Sequence, residues 1–363
     1  MKRSWIFWIG TITLLGILLG RLSMGLMRFF DPDEFAHMHW AYLVYSGALP
    51  YRDFFFYLTP VFQWILAPVF LLPHSETTLL FFRLEMFLLY SLSVILVYMV
   101  AKKTTGSAPA ALLGTLMYAV FPMTIDKTID VRPDIVMIIT FLIPVFVLLP
   151  TVRTTALRSF CAGIVLGISF ITLFKIVSLF PAILYLVLTA RGKDRWKGMF
   201  FGILGILIPI ALLVVWYISA GIVPQAWLAF THDQFAVNYG KQSFSLLKTL
   251  SPWPLVYVSQ GGPSIPWGVN VGMWILAIPG IVVLAKKNLR IGGFFLLVTL
   301  CVFGFLLAFP VPYVQYFMPI SVFIGIAAGY AVWSMASYAA KKIPCIGYGM
   351  LGVTTAVLLL SFW

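Results

Sequence analysis

Acidic residues are scarce in this sequence, which holds 11 Asp and Glu against 24 Lys and Arg among 363 residues. Charged residues make up only 10% of the chain, whereas hydrophobic residues make up 62%, at a mean hydropathy of +1.02. A soluble domain is about half apolar and a quarter charged. Folded in water, this chain would expose large apolar patches, so we exclude a soluble protein and expect lipid as its solvent.

Cysteine is also rare. The three cysteines, Cys161, Cys301 and Cys345, show no C-x-x-C spacing, so the sequence predicts neither a disulfide nor a cysteine metal site. The formal net charge of +13 arises from short basic clusters between apolar runs rather than from one basic stripe. That arrangement is typical of membrane topology, and we expect no nucleic-acid partner.

Apolar runs of bilayer-spanning or nearly bilayer-spanning length predict an all-α polytopic transmembrane helical bundle of about eleven spans. The runs lie at 5–27, 77–101, 108–123, 134–150, 160–173, 175–190, 198–222, 271–285, 291–309, 314–336 and 347–363. The runs on either side of Lys175 are short and could instead form one broken helix. Eleven spans with a cytoplasmic N-terminus place 15 of the 24 basic residues in short cytoplasmic segments, which the positive-inside rule favours.

The same topology puts ten of the eleven acidic residues on the extracytoplasmic side, although no insertion rule requires this. We therefore predict a functional site there. Two extracytoplasmic segments are long, 28–76 (the first long loop) and 223–270 (the second long loop). We expect two transmembrane modules, residues 1–190 with the first long loop and residues 191–363 with the second.

The first long loop contains a strong helix start. Asp31 suits the N-cap, Pro32 the first helical position, and Glu34 completes a capping box. Capping alone would explain a helix lying on the membrane surface. It explains Asp33 less well, because a helix places Asp33, His37 and Trp40 on one face. A carboxylate, an imidazole and an indole in one row can hold a sugar, although an interfacial aromatic belt is the alternative.

The first long loop also carries a longer pattern. It reads D-E-x-x-H-x-x-x-A-x-x-x-x-x-G-x-x-P-Y-x-D-F from Asp33 to Phe54, then T-P-V-F-Q-W. This pattern resembles the first periplasmic loop of GT-C glycosyltransferases, in the branch of protein O-mannosyltransferases and the lipid A aminoarabinose transferase. The resemblance implies a polyprenyl-phosphate sugar donor and a catalytic centre at Asp33 and Glu34, one of which is the base. Thr59-Pro60 stands where that family has Pro-Pro.

Further candidates lie around this centre. Arg132, in a turn between Asp130 and Asp134, can bind a lipid-linked phosphate through its planar guanidinium, although a solvated turn would look the same. Lys175 is an ionisable residue in an apolar stretch, which marks a candidate site, with snorkelling to the interface as the alternative. The remaining predictions are Arg52 for the donor phosphate, and His37, His39, Trp40, Asp53, Asp130, Asp134 and His232 for the substrate.

The cofactor remains open. Asp31 and Asp33 form a D-x-D pattern of the kind hard cations bind, so a divalent cation is conceivable but unassigned. The partners we expect are the bilayer, a polyprenyl-phosphate sugar, and a lipid, glycan or protein acceptor.

The sequence thus favours an integral membrane glycosyltransferase that inverts the anomeric configuration. A secondary transporter fits the composition, but transporters place polar residues near the bilayer midplane and often show repeats. A non-catalytic subunit that binds lipid-linked sugar is the third hypothesis.

Overall fold

The computed structural model describes residues 4–72, 75, 77–149, 155–190, 195–233, 267–308 and 314–360. The helices are α1 Ser4–Met27, α2 Pro32–Tyr45, α3 Val61–Leu66, α4 Thr78–Thr105, α5 Ala108–Ala119, α6 Pro122–Lys127, α7 Asp134–Leu148, α8 Ala156–Thr172, α9 Phe180–Leu188, α10 Arg195–Ser219, α11 Val223–Leu228, α12 Trp267–Lys287, α13 Leu289–Ala308, α14 Met318–Lys342 and α15 Pro344–Leu360. Short 3₁₀ turns cover Ala67–Leu71, Phe174–Leu179 and Val314–Phe317, and a π-helical turn covers Ala229–Asp233.

Each of the eleven predicted apolar runs overlaps at least one of these helices, and the predicted all-α polytopic membrane bundle is confirmed. By length and composition, four described helices are suited to crossing a membrane, namely Trp5–Met27, Thr78–Thr105, Arg195–Ser219 and Gln315–Lys342. The others are shorter. The chain is an integral membrane protein.

Helices α5 and α14 form the centre of the bundle. Nearly every residue of α5 is buried, and so are most residues in the first half of α14. Small residues allow this close approach, because a Cβ at Gly114 would lie 2.9 Å from the backbone of Ile326. Helices α8 and α10 pack in the same way, and a Cβ at Gly163 would lie within 2.1 Å of the Gly202 carbonyl oxygen. Membrane helices commonly associate through such small-residue contacts. The predicted module boundary at residues 190 and 191 stays a prediction.

The two runs beside Lys175 are separate, antiparallel helices. Lys175 pairs with Asp134 at the start of α7, whereas Arg290 bonds to the carbonyl oxygens of both Leu148, at the end of α7, and Leu186, at the end of α9. Helix α9 therefore runs in the same direction as α7. Helix α8 starts near the end of α7 and returns to Lys175, so the alternative of one broken helix was wrong.

Charged side chains collect at the two ends of the bundle, and, among the described residues, the acids that form ion pairs with the core lie at only one of them. Lys103, Lys287 and Arg290 bond to carbonyl oxygens at one end, at Phe146, Thr105 and Leu186 respectively. We call this the basic end. The other end, the acidic end, holds helix α2, the turn 128–133 and the start of α7, with Asp33, Glu34, Asp130 and Asp134.

The first long loop is fixed to α10 by aromatic side chains. Tyr51, which has a left-handed φ of 69°, donates a hydrogen bond to the Leu58 carbonyl oxygen at 2.5 Å. Its hydroxyl also lies 3.1 Å from that of Tyr217 in α10. The rings of Trp64 and Trp216 meet edge to face at 4.9 Å. These contacts hold α2 and α3 over the acidic end.

Candidate active site

Helix α2 begins with the capping box that the sequence predicts. The Asp31 side chain accepts from the backbone N–H of Asp33 at 2.9 Å, and the Glu34 side chain accepts from the backbone N–H of Asp31 at 2.8 Å. Both bonds satisfy N–H groups that a helix start leaves without a partner. The capping interpretation of Asp31 and Glu34 is therefore confirmed, and the rest of the geometry decides what else each acid does.

Glu34 is completely buried. Its Oε2 atom also accepts from Nη2 of Arg83 at 2.6 Å, and Oε1 accepts from the backbone N–H of Val131 at 2.9 Å. Burial raises the pKa of the Glu34 carboxyl, although these hydrogen bonds and the charge of Arg83 oppose the rise. Arg83 in turn donates to the carbonyl oxygens of Gly25 and Phe29 at 3.0 and 3.1 Å. Glu34 thus ties helices α1, α2 and α4 to the turn before α7.

Asp33 has the opposite environment. Its side chain is 63% exposed, and its Oδ2 atom accepts from Nη2 of Arg132 at 2.5 Å. No hydrogen bond from the described part of the chain reaches its Oδ1 atom. Neighbouring positions on a helix point about 100° apart. For this reason Asp33 faces the surface of the site while Glu34 faces the interior.

Arg132 is surrounded by carboxylates. Besides Asp33, its Nη2 atom lies 3.5 Å from Oδ1 of Asp31, and its Nε atom lies 3.5 Å from Oδ2 of Asp130. Its side chain is only 10% exposed. Burial disfavours the guanidinium charge, but the negative charges of Asp134, Asp33, Asp130 and Asp31 outweigh burial and raise the pKa of Arg132. Arg132 therefore keeps its charge.

Lys175 joins the same group of charges through Asp134. The ammonium and the carboxylate form a buried ion pair, and the ammonium lies 4.6 Å from the centroid of the Tyr316 ring. The reversal between α8 and α9 places Lys175 at this level of the bundle. The structure therefore brings together six of the predicted residues, Asp31, Asp33, Asp130, Arg132, Asp134 and Lys175, which we call the charged cluster.

His37 and Trp40 form the aromatic side of the site. Their rings meet edge to face at 5.5 Å, and Phe62 packs on His37 in the same way at 5.2 Å. Nδ1 of His37 lies 3.2 Å from Nε2 of Gln63. Burial, and then the charge of Arg132, lower the pKa of His37 to about 4, against the smaller opposing effects of Asp33 and Asp134. His37 is therefore neutral near pH 7.

His37 makes stability depend on pH. Its pKa is about 4 when folded, against about 6.5 in an unfolded chain. Between these values only the unfolded chain binds the proton, so the free energy of unfolding falls as pH falls through 6.5. The loss reaches up to about 3 kcal/mol near pH 4 and then stops growing.

The free energy of unfolding, measured in detergent at pH 7.5 and pH 5, should differ less between the two pH values for His37→Asn than for the wild type. The control is His39→Asn, an exposed histidine two residues away. Equal pH dependence in both variants would contradict this assignment.

Four predicted residues lie away from the charged cluster, from Glu34 and from the aromatic side of the site. Arg52 and Asp53 pair with each other at 2.8 Å on the surface, and Asp53 also accepts from the backbone N–H of Leu49 at 2.7 Å. His39 is exposed, and His232 is 71% exposed and lies 3.0 Å from Asp233. Their predicted substrate and phosphate roles stay predictions. Most of the second long loop, 234–266, lies outside the described residues.

Two residues that the sequence reasoning did not assign complete the site. Arg83 is an arginine within an apolar helix, which is a signal for a functional or structural charge. Gln63 lies in the quoted T-P-V-F-Q-W segment, but nothing in its spacing points to His37. For a metal, the described residues contain no group of three or more His, Cys, Asp or Glu side chains suited to binding one. Asp31 and Asp33 both contact Arg132 instead.

Comparisons with known proteins show which protein family and which solved structures this chain is similar to. Residues 58–218 match the model of the dolichyl-phosphate-mannose-protein mannosyltransferase family. That segment includes Arg132, Asp134 and Lys175 and starts after the acidic pair of α2. No curated protein sequence matches the chain.

Solved structures show the same fold. ArnT from Cupriavidus metallidurans bound to undecaprenyl phosphate is 15% identical, with a TM-score of 0.71 over 98% of this chain and 75% of ArnT. The archaeal oligosaccharyltransferase AglB from Archaeoglobus fulgidus, in complex with an inhibitory peptide and a dolichol-phosphate, is 11% identical. Its TM-score is 0.56 over 99% of this chain and 55% of AglB. The predicted resemblance to GT-C glycosyltransferases is confirmed at the level of the fold.

Proposed function

We propose that this chain, which has the fold of the GT-C membrane glycosyltransferases, transfers a sugar from a polyprenyl-phosphate donor to an acceptor at the acidic end. The observation that carries the proposal is the charged cluster. It combines one exposed carboxylate, Asp33, with two buried cations, Arg132 and Lys175, at one end of a membrane bundle. The complexes of ArnT with undecaprenyl phosphate and of AglB with a dolichol-phosphate support a lipid-phosphate donor.

In the proposed complex, Arg132 and Lys175 hold the donor phosphate. Both cations already have carboxylate partners: Asp134 pairs with Lys175, and four carboxylates, including Asp134, surround Arg132. A bound donor phosphate would share these cations with the carboxylates or replace some of them as partners. Pre-placed cations stabilise the negative charge that develops on a leaving phosphate, and they do so most strongly where water is excluded. The predicted third phosphate ligand, Arg52, lies outside the cluster and would have to move to reach it.

Asp33 is the proposed base. Its Oδ1 atom accepts the proton of an acceptor hydroxyl while the acceptor oxygen bonds to the anomeric carbon. The bond from that carbon to the phosphate oxygen breaks, and the electron pair leaves with the polyprenyl phosphate. A single displacement of this kind inverts the anomeric configuration. Asp33 then releases the proton to solvent, to which its side chain is exposed.

The orientation in the membrane belongs to the same proposal. The basic end carries the cationic pairs Lys102 with Lys103, Lys286 with Lys287, and Lys341 with Lys342 at the ends of α4, α12 and α14. Short segments rich in Lys and Arg stay in the cytoplasm. We therefore assign the basic end and the N-terminus to the cytoplasm and the acidic end to the extracytoplasmic side.

Replacement of Arg132 tests the donor site. In purified protein given polyprenyl-phosphate sugars and membrane extracts as acceptors, Arg132→Gln should raise the KM for the donor about ten- to a hundredfold, because it removes a charge-assisted phosphate contact. Release of polyprenyl phosphate is the readout. The control is Arg158→Gln, an exposed arginine at the basic end. A raised KM in Arg52→Gln with a normal KM in Arg132→Gln would mean that the donor phosphate binds at the surface pair of Arg52 and Asp53 instead. No release by the wild type with any donor tested would reject the function.

A further inference from the structure

Gln63 is a buried polar side chain that the proposed mechanism leaves unused. It belongs to the short helix α3 and has no exposed surface. Its Nε2 atom lies 3.2 Å from Nδ1 of His37, and its Oε1 atom is buried without a partner among the described residues. A buried amide costs free energy unless it is hydrogen-bonded. The contact with His37 is therefore the one that justifies a glutamine at this position.

This contact fixes where the proton of His37 lies. In the amide orientation of this structure, Nε2 of Gln63 faces the ring; an amide nitrogen donates hydrogen bonds, so Nδ1 of His37 is the acceptor. A neutral imidazole carries one proton, which must then be on Nε2. The two ring nitrogens point in nearly opposite directions, so the Nε2–H bond points away from α3. Across the described residues, no hydrogen-bond acceptor is found for it.

The charged cluster lies close enough to act on the same ring. Arg132, Asp33 and Asp134 are the charged groups whose fields reach His37. Helix α3 and the adjoining turn Ala67–Leu71 pack against α2 and contribute no titratable side chain. Trp40 and Phe62 fix the plane of the ring from two sides. His37 therefore offers one oriented donor at the margin of the site where the sugar would react.

We propose that Gln63 is a positioning residue that holds His37 as a neutral hydrogen-bond donor, with Nε2–H directed to an oxygen of the bound sugar or acceptor. This inference rests on the proposed function for the identity of the ligand, a polyol that offers many oxygen acceptors. It leaves proton removal to Asp33, because a neutral imidazole that resists protonation is a weak base. The hydrogen bond from Gln63 to Nδ1 is sufficient to select the Nε2–H tautomer of His37.

The tautomer can be measured without any substrate. In protein labelled with ¹⁵N-histidine, the chemical shifts of a protonated and an unprotonated ring nitrogen differ widely. The chain has four histidines, and the His37 signals are those lost in His37→Asn. We expect Nε2–H with unprotonated Nδ1 in the wild type and a mixture of both tautomers in Gln63→Leu. We expect protonated Nδ1 in Gln63→Glu, because its carboxylate must accept. Protonated Nδ1 in the neutral wild type, or an unchanged spectrum in Gln63→Leu, overturns the proposal.

Transfer activity tests the role of this donor. Gln63→Glu is nearly isosteric and should lower kcat/KM about ten- to a hundredfold at pH 7, the effect of a lost oriented hydrogen bond. It should also move the pH profile, since a carboxylate beside the ring favours the imidazolium, which carries Nε2–H again, so activity should recover as pH falls. The matched control is Gln225→Leu, an exposed glutamine in α11, compared with Gln63→Leu.

The outcomes separate this inference from the proposed function. The expected tautomer together with wild-type kinetics in both Gln63 variants removes the substrate role and leaves the glycosyltransferase function intact. The expected tautomer with no transfer by the wild type rejects the proposed function and, with it, the sugar as the partner of Nε2–H.

Discussion

Asp33→Asn should lower the rate of sugar transfer about 10²- to 10⁴-fold, the usual contribution of a positioned general base. The substitution removes the ability to take a proton and changes little else. An asparagine Oδ1 still accepts from Arg132, which lies 2.5 Å from Asp33 Oδ2. The side chain is 63% exposed, so the fold does not depend on its charge. We expect the loss in kcat, with the KM for the donor nearly unchanged.

The matched control is Asp31→Asn, two residues earlier in the same helix start. Asn caps helices about as well as Asp, so the bond from the backbone N–H of Asp33 survives. The variant also removes a carboxylate near Arg132, at 3.5 Å. It therefore reproduces the electrostatic change without loss of the base, and we expect a loss of less than about tenfold. Transfer by Asp33→Asn at the rate of Asp31→Asn would remove Asp33 from the role of base.

The sequence predicted the membrane fold because that fold depends on composition and run length, which are local properties. It also predicted that the acids share one end, since alternating spans and basic clusters determine which loops lie on the same side. The structure shows that Asp33 and Asp134, about 100 residues apart, meet around Arg132. Topology explains why these two acids lie at the same end of the bundle. It does not determine which side chains they contact.

The different environments of Asp33 and Glu34 could not be predicted from the sequence. The two acids are adjacent, and the capping pattern fits both. The difference arises from Arg83 and Val131, which are 49 and 97 residues from Glu34 and approach it only in the folded bundle. In the same way Lys175 meets Asp134 at a separation of 41 residues. Helix packing sets such contacts, and a single sequence carries no record of which helices pack together.

Gln63 shows the same limit at short range. It lies 26 residues from His37 along the chain, on a helix of six residues. A glutamine in an apolar stretch near the membrane surface is consistent with a solvated position, so its burial had no sequence signal. Arg83 did carry one, because a charge within an apolar span is costly without a partner. The partner itself became visible only with the fold.

Removal of either member of the Glu34–Arg83 pair should destabilise the protein by about 3–5 kcal/mol, because the remaining charge stays buried without compensation. Both side chains are almost fully buried and their atoms lie 2.6 Å apart. The single variants are Glu34→Gln and Arg83→Gln. The double variant carries no buried charge here, so its cost should fall below the sum of the single costs by about 1–3 kcal/mol. Denaturant unfolding in detergent gives these values.

The same single and double variants also help to decide which acid of the predicted catalytic pair, Asp33 or Glu34, is the base. If Glu34 holds the site together, loss of transfer in Glu34→Gln should accompany loss of stability, and the double variant should recover part of both. A catalytic base behaves differently, since its replacement lowers kcat while the free energy of unfolding stays near the wild-type value. The structure favours the first outcome, because both Glu34 oxygens already accept hydrogen bonds. An inactive Glu34→Gln of wild-type stability, beside an active Asp33→Asn, would assign the base to Glu34.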